Sequence, residues 1–280
     1  MLKWKTHNNV CIPCIGFGTW KLKNTVAAEV VRHAIQLGYH LIDTASAYGN
    51  EEYVGTALDG TGIKRSDLFI TGKLWNSERE YSKAINAFYK TLKNLKLSYL
   101  DSYLMHWPAS PAIHDNWRDI NAEAWSALEK LYTDGSVRTI GVCNFKKHQL
   151  EELLKSASVM PMVNQIEYHP GQTQTETADF CRKNNIIIEA WSPLGSGKLL
   201  KIQELERIAK KYGKSVAQLC IKWCLQNEVI PLPRTKTYER IVENIDIFGF
   251  TIDDMDMSNL NKMQNIGDSG LDPEKITLFG

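Results

Sequence analysis

The chain has 280 residues, 43% hydrophobic and 23% charged, with 33 Lys+Arg against 32 Asp+Glu for a formal net charge of +1. That balance leaves ample material for a core and gives no basic groove for nucleic acid or charged face for a membrane. The polar start, Met-Leu-Lys-Trp-Lys-Thr-His, has no signal-peptide core, and no apolar run approaches the roughly 20 residues that span a bilayer.

Short apolar runs alternate with amphipathic stretches along the chain. Asn8-Asn9 sits between two possible strands and predicts a hairpin before Ile15 to Gly18, the first strand of a repeating series. Ala27, Val30, Val31 and Ala34 recur at helical spacing, with Gly38 at the C-cap. Strands are expected at His40 to Asp43, Leu68 to Lys73, Tyr99 to Met105, Val137 to Val142, Met162 to Glu167, Ile186 to Trp191 and Val229 to Leu232. Helices are expected around Ala84 to Leu95, Trp125 to Tyr132, Leu150 to Ala157 and Val216 to Trp223. About eight strand–helix units imply a parallel sheet buried on both faces, closed into a (β/α)8 TIM barrel, with the hairpin across its floor. No linker or composition break divides it, so a single domain over residues 1–280 is expected.

The six cysteines of so long a chain do not read as a disulfide framework, and Cys11-x-x-Cys14 lacks the βαβ context of a redox pair. The seven histidines show no zinc spacing. A reducing, cytoplasmic setting without a metal is the expectation. Gly16-Phe17-Gly18-Thr19-Trp20 lacks the third glycine of the Rossmann fingerprint, so a dinucleotide would have to bind in another way.

Barrel active sites lie at the C-terminal ends of the strands. Asp43 ends the second strand, Tyr48 follows in the next loop, Lys73 ends the third strand and His106 the fourth. A free phenol titrates near 10, too high for a strong acid at neutral pH. Bringing it down by about 2–3 pH units takes roughly 3–4 kcal/mol of preference for the phenolate. An ammonium about 4 Å away supplies on the order of 4 kcal/mol at an effective dielectric of about 20. Asp43 would keep Lys73 charged, and His106 would bond a carbonyl oxygen and orient the substrate. Trp20, Trp75 and Trp107 fall at mouth positions and Trp117 in the loop after the fourth strand, which together offer an apolar pocket wall.

These segments resemble the aldo-keto reductase family over nearly the whole chain. Gly16 to Trp20 is similar to its first-strand motif, Leu41 to Glu51 to its Asp/Tyr signature, Phe69 to Trp75 to its lysine strand, and Asp101 to Pro108 to its histidine strand. Gly141 to Phe145, Asn164-Gln165 and Trp191 to Gly195 resemble its nicotinamide and pyrophosphate loops, and Pro231 to Thr235 with Glu239 to Asn244 its 2′-phosphate clamp. The resemblance implies the tetrad Asp43, Tyr48, Lys73 and His106, with Tyr48 as general acid and NADPH as cofactor. It implies that Thr19 lies on the cofactor side, that Asn144 and Gln165 hold the carboxamide, that Trp191 stacks on the nicotinamide, and that Ser192, Leu194 and Gly195 line the pyrophosphate. Arg234, Thr235 and Arg240 would hold the 2′-phosphate, with Glu243 and Asn244 near adenine; guanidinium groups suit a phosphate dianion because they bind it bidentately.

Three positions depart from the family pattern: Cys143 stands for serine, Gly72 for threonine, and Trp191 for the commoner tyrosine or phenylalanine. The short tail after Asn265 implies an open site for aldehydes, α-dicarbonyls and keto-sugars. The expected partner is a small carbonyl substrate, with no nucleic acid or membrane, and the expected state is a monomer. Two other readings compete: a Schiff-base aldolase using Lys73 as nucleophile, and a non-catalytic NADPH-binding module that senses redox state. A lysine paired to Asp43 stays protonated, which weighs against the first.

Overall fold

Runs such as Phe69-Ile-Thr-Gly-Lys-Leu74 and Leu100 to Met105 are buried at every position, as strands packed on both faces must be. In the computed structural model, which describes residues 3–276, they form a barrel. A hairpin of β1 (Lys3–Lys5) and β2 (Cys11–Pro13) comes first, its turn closed by Asn9 at φ 68 and by Thr6 N donating to Val10 O. Asn8 donates from its amide to Arg138 O, which fastens this hairpin beneath the barrel, at the start of its fifth strand.

The barrel strands are β3 (Gly16–Gly18), β4 (Leu41–Asp43), β5 (Phe69–Leu74), β6 (Leu100–Met105), β7 (Val137–Cys143), β8 (Val163–Glu167), β9 (Ile187–Trp191) and β10 (Val229–Pro231). All eight run parallel in chain order. The seam between first and last is drawn together by Gly18 N donating to Pro233 O at 3.0 Å. Each strand lies within one or two residues of its expected limits.

The helices are α1 (Asn24–Gln36), α2 (Glu51–Asp59), α3 (Tyr81–Leu95), α4 (Trp117–Thr133), α5 (Lys147–Ser156), α6 (Thr175–Lys183), α7 (Gln203–Lys211), α8 (Val216–Gln226), α9 (Tyr238–Ile245) and α10 (Asp254–Lys262). On α4 the buried residues Asn121, Ala124, Trp125, Leu128 and Leu131 make one stripe, the 3.6-residue period of a helix laid on a sheet. At the start of α8, Ser215 accepts from Gln218 N while the Gln218 side chain accepts from Ser215 N, a reciprocal cap that satisfies two otherwise orphaned donors. None of the described helices is long and apolar enough to cross a membrane.

Side chains alternate between barrel interior and helix layer. On β5 this sends Lys73 inward and Gly72 outward, where an added Cβ would come within 2.9 Å of Leu100 Cδ1 and 3.2 Å of Thr91 Cγ2 on α3. The glycine in place of threonine therefore lets α3 sit close to the sheet. The cysteines are free: Cys11 is exposed on β2, whereas Cys14 is fully buried in the core.

Candidate active site

The parallel strands deliver their C-terminal residues to one mouth, and the expected tetrad meets there. Lys73 Nζ donates to Asp43 Oδ2 at 2.7 Å and to Tyr48 Oη at 3.0 Å. The His106 ring lies edge-on to the Tyr48 ring with centroids 5.5 Å apart. Asp43 and Lys73 are buried side by side on neighbouring strands, and a short 3-10 turn, Ser46–Tyr48, curls the phenol back over them. Ser46 Oγ donates to Lys73 O at 3.2 Å and ties that turn to β5.

Burial disfavours the Lys73 ammonium, but Asp43, Tyr48 and the hydrogen bond to Asp43 outweigh it, and the amine is held above its ordinary range. The phenol behaves differently from the sequence expectation. Burial raises its pKa, Lys73 lowers it and Asp43 raises it again, so Tyr48 is pushed up to about 12 rather than down. The cost of a desolvated phenolate exceeds what one ammonium, already shared with a carboxylate, can return. Tyr48 thus stays protonated at neutral pH, as a proton donor must. Burial, with Lys73 adding to it, drives His106 well below its ordinary value, so its imidazole is neutral.

Gln165 Nε2 donates to Asp43 Oδ1 and to Glu189 Oε2, both at 2.8 Å. Asn144 Nδ2 donates to His106 O at 3.1 Å, and its Oδ1 accepts from Trp191 Nε1 at 2.7 Å. The expected carboxamide residues therefore also brace the tetrad. Beyond β9, Ser192 and Gly195 take positive φ values of 50 and 55, turning the loop that carries Leu194. Past β10, Arg234 and Arg240 are exposed, and neither forms an ion pair among the described residues. Thr235 is buried and its Oγ1 accepts from Thr237 N at the start of α9; Arg240, Glu243 and Asn244 lie on that helix. Thr19 Oγ1 is buried with no partner.

Three of the four tryptophans stand where the sequence put them. Trp75 lies edge-on to His106 at 5.1 Å, and Trp107 stacks near it at 6.5 Å and meets Trp191 at 6.4 Å. Trp20 is 42% exposed after β3, with Lys21 Nζ 4.1 Å from its ring. Trp117 is a correction. It opens α4 instead of lying in a loop, is 4% exposed, and packs against His148 of α5 and Arg118. It is a helix-packing residue, because α4 begins a full two turns before the apolar stripe that marks it in the sequence. The described part of the tail, through Ile276, is fastened to the barrel. Ser269 donates from N and Oγ to Glu167 at 2.9 and 2.7 Å, Lys146 Nζ reaches Asp272 at 2.9 Å, and Ser110 Oγ donates to Glu274 O at 2.8 Å. It borders the mouth from β8 round to the loop after β6, so one side of the site is walled.

A family model described as "Aldo/keto reductase family" matches residues 14–265. The glyoxal reductase of Bacillus subtilis is 45% identical over 273 residues, spanning 97% of this chain and 96% of the relative. The methylglyoxal reductase DkgA of Escherichia coli is 38% identical, spanning 97% of both chains. The crystal structure of an aspartate-to-alanine mutant of Gox0644 in complex with NADPH superposes with a TM-score of 0.92 at 37% identity, covering 99% of each chain. The chain belongs to the aldo/keto reductase family. It is an oxidoreductase acting on carbonyl groups.

Two residues of this aldo/keto reductase have structural roles that the motifs did not assign. Glu189 stands mid-strand in β9, fully buried beside Gln165, and the only sequence signal was a charge inside an apolar run. Asn50 occupies the N-cap of α2 yet turns its side chain inward: Oδ1 accepts from Thr44 Oγ1 at 2.9 Å, and Nδ2 donates to Thr19 O at 2.8 Å and Leu22 O at 3.0 Å. It locks the Tyr48 turn to the loop after β3. Replacing Asn50 with Ala strands two buried polar groups, the Thr44 hydroxyl and Leu22 O, while Thr19 O keeps Leu22 N; urea unfolding is expected to show a loss of about 2–4 kcal/mol, with kcat reduced as the turn loosens.

Proposed function

We propose that this chain uses NADPH to reduce small aldehydes, α-dicarbonyls and keto-sugars to alcohols, with Tyr48 as the general acid. The observation that carries the reading is the buried Asp43–Lys73–Tyr48 chain, with links of 2.7 and 3.0 Å, beside a neutral His106. Bound NADPH would supply the hydride. Tyr48 Oη gives its proton to the carbonyl oxygen as that oxygen becomes an alkoxide. Lys73 stabilises the phenolate left behind, Asp43 keeps Lys73 charged, and His106, carrying one ring proton, orients the carbonyl by hydrogen bonding. Trp20, Trp75 and Trp107 exclude water and favour compact, largely apolar substrates.

The residues present fit the dinucleotide. Arg240 stands in the first turn of α9, where the helix dipole also favours a phosphate, and Arg234 in the loop leading to it; neither guanidinium forms an ion pair among the described residues. The Thr19 hydroxyl, unpartnered among the described residues, and the loop from Ser192 to Gly195, whose two end residues take positive φ, complete a polar border on the same side. Carbonyl reduction is also what the names of the B. subtilis and E. coli relatives describe. The aldolase reading is disfavoured by Lys73 itself, whose charge is fixed by Asp43.

The test is a spectrophotometric panel of glyoxal, methylglyoxal, simple aldehydes and keto-sugars, with NADPH and NADH side by side. Turnover of several small carbonyls with NADPH is expected; restriction to one bulky ketone, or binding of NADPH with no single-turnover oxidation, would overturn the proposal. In the same assay, Arg234→Ala/Arg240→Ala is expected to raise the KM for NADPH by about 10²-fold, two charge-assisted contacts at roughly 1.5 kcal/mol each, and leave that for NADH nearly unchanged.

A further inference from the structure

Glu189 is a buried carboxyl on a barrel strand that the proposed proton transfer does not use, and it is joined to the tetrad through Gln165. It is fully buried, one strand away from Gln165 and directly opposite it in the β8–β9 register. Oε2 accepts from Gln165 Nε2 at 2.8 Å, and Oε1 has no partner. Gln165 Nε2 spends its other hydrogen on Asp43 Oδ1, also at 2.8 Å, and Asp43 in turn holds Lys73 at 2.7 Å. Hydrogen bonds thus connect Glu189 to Tyr48 without a break.

An amide side chain has one donating and one accepting end, and its neighbours decide which way it faces. Two ionised carboxylates accept only. Between them they require Nε2 on the inner side, which leaves Gln165 Oε1 as the free acceptor. A primary carboxamide, such as that of nicotinamide, offers N–H donors to such an oxygen. We propose that Glu189 is a positioning residue: its ionised carboxylate fixes the orientation of Gln165 and thereby the acceptor presented to the nicotinamide carboxamide, and its protonation loosens that orientation. The inference rests on the NADPH-dependent reading above.

A proton on Glu189 can sit on Oε1, which has no partner among the described residues, while Oε2 still accepts from Gln165 Nε2. The bond then drops from a charge-assisted to a neutral one, and Gln165 can instead turn its oxygen to the new O–H, so its orientation is held less firmly. Burial, with Asp43 adding to it, raises Glu189 to about 7, while Gln165 and Lys73 oppose the rise. The charged or titratable groups around it are Asp43 on β4, Lys73 on β5, Tyr48 in the turn after β4 and Cys143 on β7, whose thiol burial keeps protonated. Its neighbour on β10 is Ile230, which carries no charge. Burial and its neighbours move Tyr48, Lys73 and Cys143 away from neutrality and bring Glu189 toward it.

The experiment measures the NADPH Kd by fluorescence between pH 6 and 8 for the wild type and for Glu189→Gln. The glutamine keeps an acceptor for Gln165 Nε2 but cannot titrate. Because the 2′-phosphate of NADPH also titrates, the quantity read is the ratio of the two Kd values at each pH. A loss of wild-type affinity of about five- to tenfold relative to the variant on going from pH 8 to pH 6 is expected, the worth of one hydrogen bond to a charged group, with kcat at saturating NADPH within about twofold.

Infrared difference spectra of the cofactor-free protein should show a protonated-carboxyl band growing in over the same range, absent from Glu189→Gln. If Glu189→Gln does not fold, Gln165→Met replaces it; it should bind weakly throughout, and the wild type should lose the same five- to tenfold relative to it between pH 8 and pH 6. A ratio independent of pH, or no titrating carboxyl band, overturns the inference. A wild type that neither binds NADPH nor reduces methylglyoxal overturns the functional reading instead.

Discussion

Tyr48→Phe is expected to lower kcat by about 10²–10⁴-fold, the usual worth of a positioned general acid, while the Kd for NADPH stays within about twofold. The substitution removes one oxygen and one hydrogen bond, that from Lys73, and leaves Lys73 paired with Asp43. The phenyl ring still packs against His106, so the loss would belong to chemistry and not to folding. His106 cannot easily take over, since its neutral imidazole would have to surrender its last proton. The pH profile gives an independent check. With the phenol pushed up to about 12, reduction should be insensitive to Tyr48 across neutral pH and decline only in the strongly alkaline range, as the acid is lost. Oxidation of the alcohol, which needs the phenolate, should rise over that same range. A Tyr48→Phe enzyme that kept most of its rate would move the acid role to another group.

The barrel was legible because its strands are short apolar runs buried on both faces, a pattern that barely depends on tertiary detail. The amphipathic helices α1, α3, α4 and α8 were legible for the same kind of reason, each with five or more buried residues, and α5 was legible through Leu150, Leu153 and Leu154. The helices without a sequence signal are mostly the short ones. α6 and α7 each bury three residues in nine, and α9 buries two in eight, too few turns for a period to emerge above noise.

In the site, the tetrad could be found because strand ends in a barrel have a known destination. The direction of the Tyr48 shift could not, because it is a contest between desolvation and one ammonium, and desolvation is a property of the assembled walls. Trp117 was misplaced for a local reason, the early start of α4 in a stretch of Asn, Arg and Asp. Glu189 was visible as a letter but not as a role: nothing in Ile187-Ile-Glu-Ala-Trp191 says that the carboxyl meets Gln165.

Lys73→Met carries the second large expectation, on stability and rate together. The wild-type pair is buried, with Lys73 fully enclosed and Asp43 4% exposed. Removing only the cation leaves a carboxylate whose sole remaining side-chain donor among the described residues is Gln165 Nε2. A buried charge stripped of its partner typically costs about 3–5 kcal/mol, and urea unfolding should show a loss of that size. The double variant Asp43→Asn/Lys73→Met removes both charges and should recover much of it, because a buried ion pair adds little over a neutral replacement of similar volume. Activity should not follow. Without the ammonium, the phenolate left by proton transfer loses an attraction on the order of 5 kcal/mol at 3.0 Å and an effective dielectric of about 20, so kcat should fall by about 10³-fold or more in single and double variants alike. The two readouts separate the two roles proposed for Lys73, neutralising Asp43 for the fold and steadying Tyr48 for the chemistry. A single variant as stable as the wild type would mean that Asp43 is not relying on Lys73, and a double variant that regained its rate would mean that Tyr48 is not.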